Sequence, residues 1–282
     1  MRGQRTRRQC LAPVPSRIHW HWTFHLCLLG GLLAQFCLAQ APASPKGELV
    51  VFAAASLTEA LTEIGKRLES LHQGLKIAYN FGGSPTLRTQ LEQGALADVF
   101  ISADLTQMDL ARTTGVVQGE AVLFARNRLV MIVPRENPKQ LRSFQDLAMP
   151  GLKLSLAAPR VPAGQYSRQA FHQAQSEYGA DFAARVLRNL ASEEESVKQV
   201  VTKVQLGEAD AGIVYVSDVT PAVRKHVLTL PIPEVYNPRV MYPVALTAGL
   251  KNRHAAEVFM AFVLSPEGQA ILAAHHFLPV RD

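Results

Sequence analysis

Four short stretches place hydroxyls, small residues and turn formers where an apolar, strand-length run passes into the start of a helix. In the first, Leu49-Val50-Val51-Phe52-Ala53-Ala54-Ala55 leads directly into Ser56-Leu57-Thr58-Glu59, a Ser-x-x-Glu pattern that predicts a capping box. In the second, Gly82-Gly83 lets the backbone approach a neighbour closely, with Ser84 expected at the N-cap and Pro85 at the first helical position. The third is the tight entry Pro159-Arg160-Val161-Pro162-Ala163-Gly164, and the fourth is Glu195-Ser196-Val197, ahead of Val200, Val201 and Val204. The chemistry such places offer is anion binding, because the unpaired amides and the dipole of a helix start both attract negative charge. Each stretch alone reads more readily as an ordinary helix cap. Four of them, two in each half of the chain, are harder to set aside.

The elements that must position these residues follow from periodicity. Apolar strands are expected at 49–55, 75–81 and 97–102, alternating with helices at 57–71, 86–93 and 105–113. The first helix places Leu57, Ala60, Leu61, Ile64 and Leu68 on one face. A long strand is expected over 122–133, running through Arg126-Asn127-Arg128. The rhythm then restarts with strands at 152–158, 211–216, 227–232 and 239–247 and helices at 164–178, 181–190, 196–206, 255–264 and 266–275. Strand-helix alternation with short links predicts an α/β fold with parallel sheets covered on both faces. The fold class expected is two Rossmann-like lobes joined by crossover strands: lobe I from 47–125 plus 238–282, lobe II from 126–237. Ligands of such sheets lie beyond the carboxyl ends of the strands, between the lobes.

Composition narrows the function classes. Arg2, Arg5, Arg7, Arg8 and Arg17 all fall before residue 40, and without those five the remaining 24 Lys and Arg nearly balance 23 Asp and Glu. No basic stripe remains for nucleic acid or an acidic membrane surface. The same front segment holds every cysteine and both tryptophans, Trp20 and Trp22. Its Arg-rich opening, apolar run over 23–38 and Leu38-Ala39-Gln40-Ala41 predict a cleavable signal peptide, residues 1–39, and export to the periplasm. The run is short for a membrane span, which needs ~20 apolar residues. The roughly 240 residues that follow are enough to bury a large core without disulfides.

Val51-Phe52-Ala53-Ala54-Ala55-Ser56-Leu57, Phe81-Gly82-Gly83-Ser84, Ala97-Asp98-Val99-Phe100-Ile101-Ser102-Ala103-Asp104, Val161-Pro162-Ala163-Gly164 and Gly212-Ile213-Val214-Tyr215 occur in the order and spacing of one family. From Leu49 onward the chain resembles the periplasmic molybdate-binding proteins of ABC importers, a type II periplasmic-binding-protein family. The resemblance implies two lobes closing over a tetrahedral oxyanion, molybdate with tungstate beside it. Carried over by position, it implies ligands at Ser56, Ser84, Ala163, Val197 and Tyr215. It also implies no cofactor, no direct metal ligand, a monomer, and a membrane permease as partner. By itself Tyr215 reads as a core tyrosine with a satisfied hydroxyl.

A doubly charged, unprotonated oxyanion needs donors only, and a site of amides, hydroxyls and helix dipoles supplies them without carrying charge. A protonated phosphate would be rejected, because its O–H needs an acceptor and an unpaired buried polar group costs ~1–3 kcal/mol. Sulfate, also a tetrahedral dianion, is the alternative ligand within the class. An enzyme using Ser56 or Ser84 as nucleophile is the alternative outside it, and it lacks a base at a recognisable spacing. His275-His276 has no Glu or Cys partner at metal-ligand spacing. Glu193-Glu194-Glu195 is expected to be a solvated helix entry, and Asp98 and Asp104 to be turn and cap residues. No catalytic motif of the nucleophile-elbow, Walker or zinc-protease type is present, so a non-enzymatic binding protein is expected.

Overall fold

The computed structural model describes residues 44–280; the expected leader, 1–39, lies outside the described residues. Strand β1 (Gly47–Ala54) buries Leu49, Val51 and Ala53 on one face and Phe52 on the other, so both faces are covered. It passes through a single 3-10 turn, Ala55–Leu57, into α1 (Thr58–Leu71), which buries Ala60, Leu61, Ile64 and Leu68. Next come β2 (Leu75–Gly82), α2 (Ser84–Glu92), β3 (Val99–Ile101), α3 (Leu105–Thr113) and β4 (Val117–Asn127). The first sheet has the order β2-β1-β3-β10-β4, its fourth member β10 (Val240–Thr247) returning from much later in the chain. β1 runs parallel to β2 and β3, whereas β10 is antiparallel to β3 and β4. The sheet is therefore mixed, where alternation alone predicted a parallel one.

Chain direction explains the second difference. The run over 122–133 is not one strand: Arg128 separates β4 from β5 (Leu129–Pro134), which belongs to a different sheet. Periodicity cannot show this, because both strands are apolar and the break is one residue long. The second sheet has the order β7-β6-β8-β5-β9. It uses β6 (Leu154–Ala157), β7 (Leu190–Glu194), β8 (Ala211–Tyr215) and β9 (Val227–Pro231), with β5 antiparallel to both β8 and β9. Between them lie α4 (Pro162–Gln173), the short α5 (Gln175–Tyr178), α6 (Phe182–Arg188) and α7 (Val197–Gln205). Phe144 stacks on Phe171 of α4 and meets Phe182 of α6 at a tilt.

Strand β7 occupies residues expected to end one helix and enter another. Its Glu193 and Glu194 disfavour strand by propensity, but β7 is an edge strand, where charge prevents unwanted pairing. Glu193 and Glu195 are not free in solvent either; they pair with Arg168 and Arg160.

The chain crosses back at 232–239, and α8 (Arg253–Leu264) and α9 (Pro266–Ala274) close the first lobe beside α1. The two crossings are tied together. Asn237 accepts from Leu129 N through Oδ1 at 3.0 Å and donates to Leu129 O through Nδ2 at 2.8 Å, a side chain standing in for a strand partner. Among the described residues no single helix is long and apolar enough to cross a membrane.

Asp98, expected in a turn, is instead a buried clamp. Its carboxylate accepts the amides of Val50 at 2.8 Å, Lys251 at 2.6 Å and Asn252 at 2.9 Å, joining β1 to the start of α8. Replacing Asp98 by Ala leaves three backbone donors unpaired, at ~1–3 kcal/mol for each that water cannot reach. Asp98→Ala is expected to lower unfolding stability by about 3 kcal/mol in urea titration.

Candidate functional site

The carboxyl ends of β1, β2, β3, β6, β7 and β8 converge on one small pocket. It is lined by Ala54, Ala55 and Ser56, by Gly82, Gly83 and Ser84, and by Ala103 from the first lobe. The second lobe contributes Val161, Pro162, Ala163, Ser196, Val197 and Tyr215. All five residues singled out in the sequence, Ser56, Ser84, Ala163, Val197 and Tyr215, are thus brought to the same space, and all are buried. No Asp, Glu, Lys, Arg or His is among the lining residues.

Local structure explains why the walls present donors. α2, α4 and α7 begin at Ser84, Pro162 and Val197, so their unpaired first-turn amides point inward. Gly83, rather than Ser84, is the N-cap of α2, which makes Ser84 the first helical residue. A Cβ on Gly83 would lie 2.2 Å from the carbonyl oxygen of Glu195, so only glycine lets the two lobes meet there. Gly164 has the same role inside the second lobe, where a Cβ would fall 2.1 Å from Ala157 O. Ser196 caps α7, Gln199 Oε1 accepts the amides of Glu195 and Ser196, and Gln199 N turns back to Ser196 O, leaving the amide of cavity-lining Val197 available.

The Ser56/Glu59 capping box does not form. Ser56 Oγ lies 2.9 Å from Tyr242 Oη, and α1 has no side-chain cap. Thr58 instead donates to Ala55 O. Glu59 faces the other lobe, accepting Lys198 Nζ at 2.8 and 2.9 Å. Lys198 follows cavity-lining Val197, so this ion pair joins the lobes at the rim of the site. Ser84 Oγ accepts the amide of Ala103 at 3.1 Å. Neither serine is hydrogen-bonded to a histidine or carboxylate among the described residues.

Tyr215 Oη is fully buried and has no hydrogen-bond partner among the described residues. Burial pushes its pKa well up, reinforced by Tyr242, Tyr166 and nearby carboxylates, so it keeps its proton and needs an acceptor. An unpartnered hydroxyl, two serine hydroxyls and three helix starts around an uncharged cavity suit a fully deprotonated oxyanion.

Two residues were invisible in the sequence as parts of this arrangement. Tyr242, on β10, packs its ring against Tyr215 at 6.1 Å between centroids. Asp218, fully buried, accepts Tyr215 N at 3.0 Å and makes a charge contact with Lys198 at 3.4 Å. The Ser-Asp dipeptide just past the Tyr215 strand was the one available signal for the latter. Asp104 does cap α3, as expected, accepting Gln107 N at 2.9 Å.

The geometry is that of a two-lobed binding protein with a donor-lined pocket between its lobes. A family model described as bacterial extracellular solute-binding protein matches residues 49–278, and the chain belongs to that family. It is 39% identical over 252 residues to a protein of Mycobacterium tuberculosis named molybdate-binding protein ModA, covering 87% of this chain and 92% of that one. A solved substrate-binding domain from Clostridium difficile, described as belonging to a molybdenum ABC transporter, is 29% identical with a TM-score of 0.61, over 83% of this chain and 99% of that one. The periplasmic molybdate-binding protein of Azotobacter vinelandii shares the fold at a TM-score of 0.68 and 20% identity, over 82% of this chain and 98% of that one.

Burial raises the Asp218 pKa to about 6, and Lys198, whose own pKa is raised by Asp218 and Glu59 against the effect of burial, offsets this only in part. Between the ordinary carboxylate value near 4 and about 6 the folded chain therefore holds a proton that the unfolded chain has released. Stability is expected to fall as pH rises through that window and to level off above it. Urea midpoints between pH 4 and 7 should show this decline weakened in Asp218→Asn.

Proposed function

We propose that this chain captures molybdate, and tungstate with it, between its two lobes outside the cytoplasmic membrane and hands it to the permease of an ABC importer. The observation that carries the reading is the pocket itself: lined by no charged residue and furnished with donors, with Tyr215 Oη lacking an acceptor among the described residues. Ser56, Ser84 and Tyr215 would donate through hydroxyls, Ala163 and Val197 through amides at the starts of α4 and α7. Molybdenum would be reached only through the oxyanion's oxygens, with no direct protein ligand to the metal. The relatives' names support the same ligand class.

Capture would proceed by hinge motion. The two crossings, at Arg128 and at 232–239, are the places where the backbone passes between lobes, and flexing there separates the cavity walls. A dianion contacting both walls favours the closed arrangement by its differential affinity for it. Sulfate carries the same charge and shape, so discrimination against it rests on the volume enclosed when the lobes meet.

Calorimetric titration is expected to show molybdate and tungstate binding with sulfate and phosphate much weaker; sulfate binding as tightly as molybdate would sink the proposal. Ser84→Ala should weaken molybdate about tenfold, the loss of one charge-assisted hydrogen bond, and lower the melting temperature by a few degrees, because the buried Ala103 amide loses its acceptor, while the protein stays folded at 25 °C. Glu59→Gln breaks the ion pair at the rim without touching the cavity lining. It should speed molybdate release by about two- to fivefold, in keeping with a partly exposed pair, and leave association nearly unaltered. Stopped-flow tyrosine fluorescence can follow this, because Trp20 and Trp22 both precede residue 40.

A further inference from the structure

The hydrogen bonds behind Ser56 form a chain whose direction can be worked out from its far end. Asn127, at the crossing between β4 and β5, accepts the Arg128 amide through Oδ1 at 2.9 Å. A backbone N–H can only donate, so the side-chain amide is oriented with Nδ2 facing inward. That nitrogen donates to Ser217 Oγ at 2.8 Å and, over a longer 3.4 Å, to Tyr242 Oη. Tyr242 therefore has a donor aimed at its oxygen, and its own proton must go elsewhere. Ser56 Oγ, at 2.9 Å, is its remaining hydrogen-bond partner. Tyr242 is fully buried, and burial pushes its pKa up against the opposing effects of Ser56 and Asn127, so the proton is present to be given.

If Tyr242 donates to Ser56, the Ser56 proton is free to point into the cavity. Were the bond reversed, Ser56 would show the cavity a lone pair, and a ligand carrying an O–H could be accommodated. Ser84 provides the comparison inside the same site: its oxygen takes the Ala103 amide at 3.1 Å, a bond that cannot reverse, so its proton too is left for the ligand.

We propose that Tyr242, oriented by Asn127, is a positioning residue that fixes the direction of the Ser56 hydroxyl and thereby sharpens the preference of the site for fully deprotonated oxyanions. The inference rests on reading the cavity as an oxyanion site. It adds a residue that touches no ligand, and it ties ligand discrimination to Asn127, which bonds to Ser217 of the second lobe and to Tyr242 of the first.

The test compares molybdate with hydrogen arsenate at pH 8, where both are tetrahedral dianions and only the second carries a proton. Tyr242→Phe keeps the ring that packs edge-on against Phe124, Tyr215 and Phe277. It is expected to lower the preference for molybdate over hydrogen arsenate about tenfold, one hydrogen bond's worth, as measured by competition titration. Asn127→Asp sets an acceptor beside Tyr242 Oη and turns the chain round. Its added charge weighs alike on both dianions, so the same fall in preference is expected, and this variant carries the test if Tyr242→Phe does not fold. In a Ser56→Ala background neither change should alter the preference further. An unchanged preference in the single variants, or an equal fall without Ser56, would overturn the inference. Ser56→Ala binding molybdate as the unaltered chain does would instead remove Ser56 from the site, overturning that part of the site reading and the inference with it.

Discussion

A buried anion held without a counter-charge needs donors that have no other acceptor, and much of this fold can be understood as a way of supplying them. Secondary structure satisfies nearly every backbone N–H except those of the first helical turn. Helix starts are therefore the natural source of spare donors, and three of them, at Ser84, Pro162 and Val197, abut the cavity. Bringing them together requires backbones to approach more closely than a side chain permits. Gly83 and Gly164 meet that requirement where a Cβ would fall on a carbonyl oxygen. The capping at Ser196 belongs to the same economy of donors, because Gln199 takes up the amides of Glu195 and Ser196, its own amide goes to Ser196 O, and that of Val197 is left.

Hydroxyls raise a further requirement, since a hydroxyl can accept as readily as it donates. Ser84 is oriented by a backbone amide, the simplest device available. Ser56 has no such amide, and Tyr242 stands behind it, with Asn127 behind Tyr242. Asn127 sits where the chain passes from one sheet to the other, and Asn237 ties that crossing to the second one. Motion at the crossing therefore acts on the same residues that arrange the donor. The crossings and the site are joined by hydrogen bonds and not merely by shared backbone.

Much of this was legible in the sequence, because strands and helix starts leave local marks. Alternating apolar runs placed most strands, and four Gly-, Ser- or Pro-marked entries located residues that the folded chain brings around one cavity. What was not legible depended on partners distant in sequence. Ser56 and Glu59 have the spacing of a capping box, yet Tyr242, 186 residues away from Ser56, and Lys198, 139 away from Glu59, take their side chains. Local hydrogen bonding lost to tertiary partners that also bury or pair the groups. β7 was missed because edge-strand glutamates contradict strand propensity, and the break at Arg128 because a change of sheet leaves no mark on periodicity.

The placement of the charges follows from the need to couple binding to closure. Lys198, Glu59 and Asp218 sit beside the site, yet no charged side chain lines it. A cation in the cavity would attract any anion over a Debye length of ~8–10 Å, and so would hold it nearly as well with the lobes apart. Neutral donors act only at hydrogen-bond distance, and those of opposite lobes reach one ligand only when the lobes are together. Binding by neutral donors thus depends steeply on closure, and that dependence lets a ligand shift the population of the closed form. The cation is spent on the rim instead, where Lys198 reaches Glu59 across the cleft and Asp218 within its own lobe. There it adds to closure without adding to the attraction of anions into an open cleft, because Asp218, beside it in the same lobe, offsets its charge.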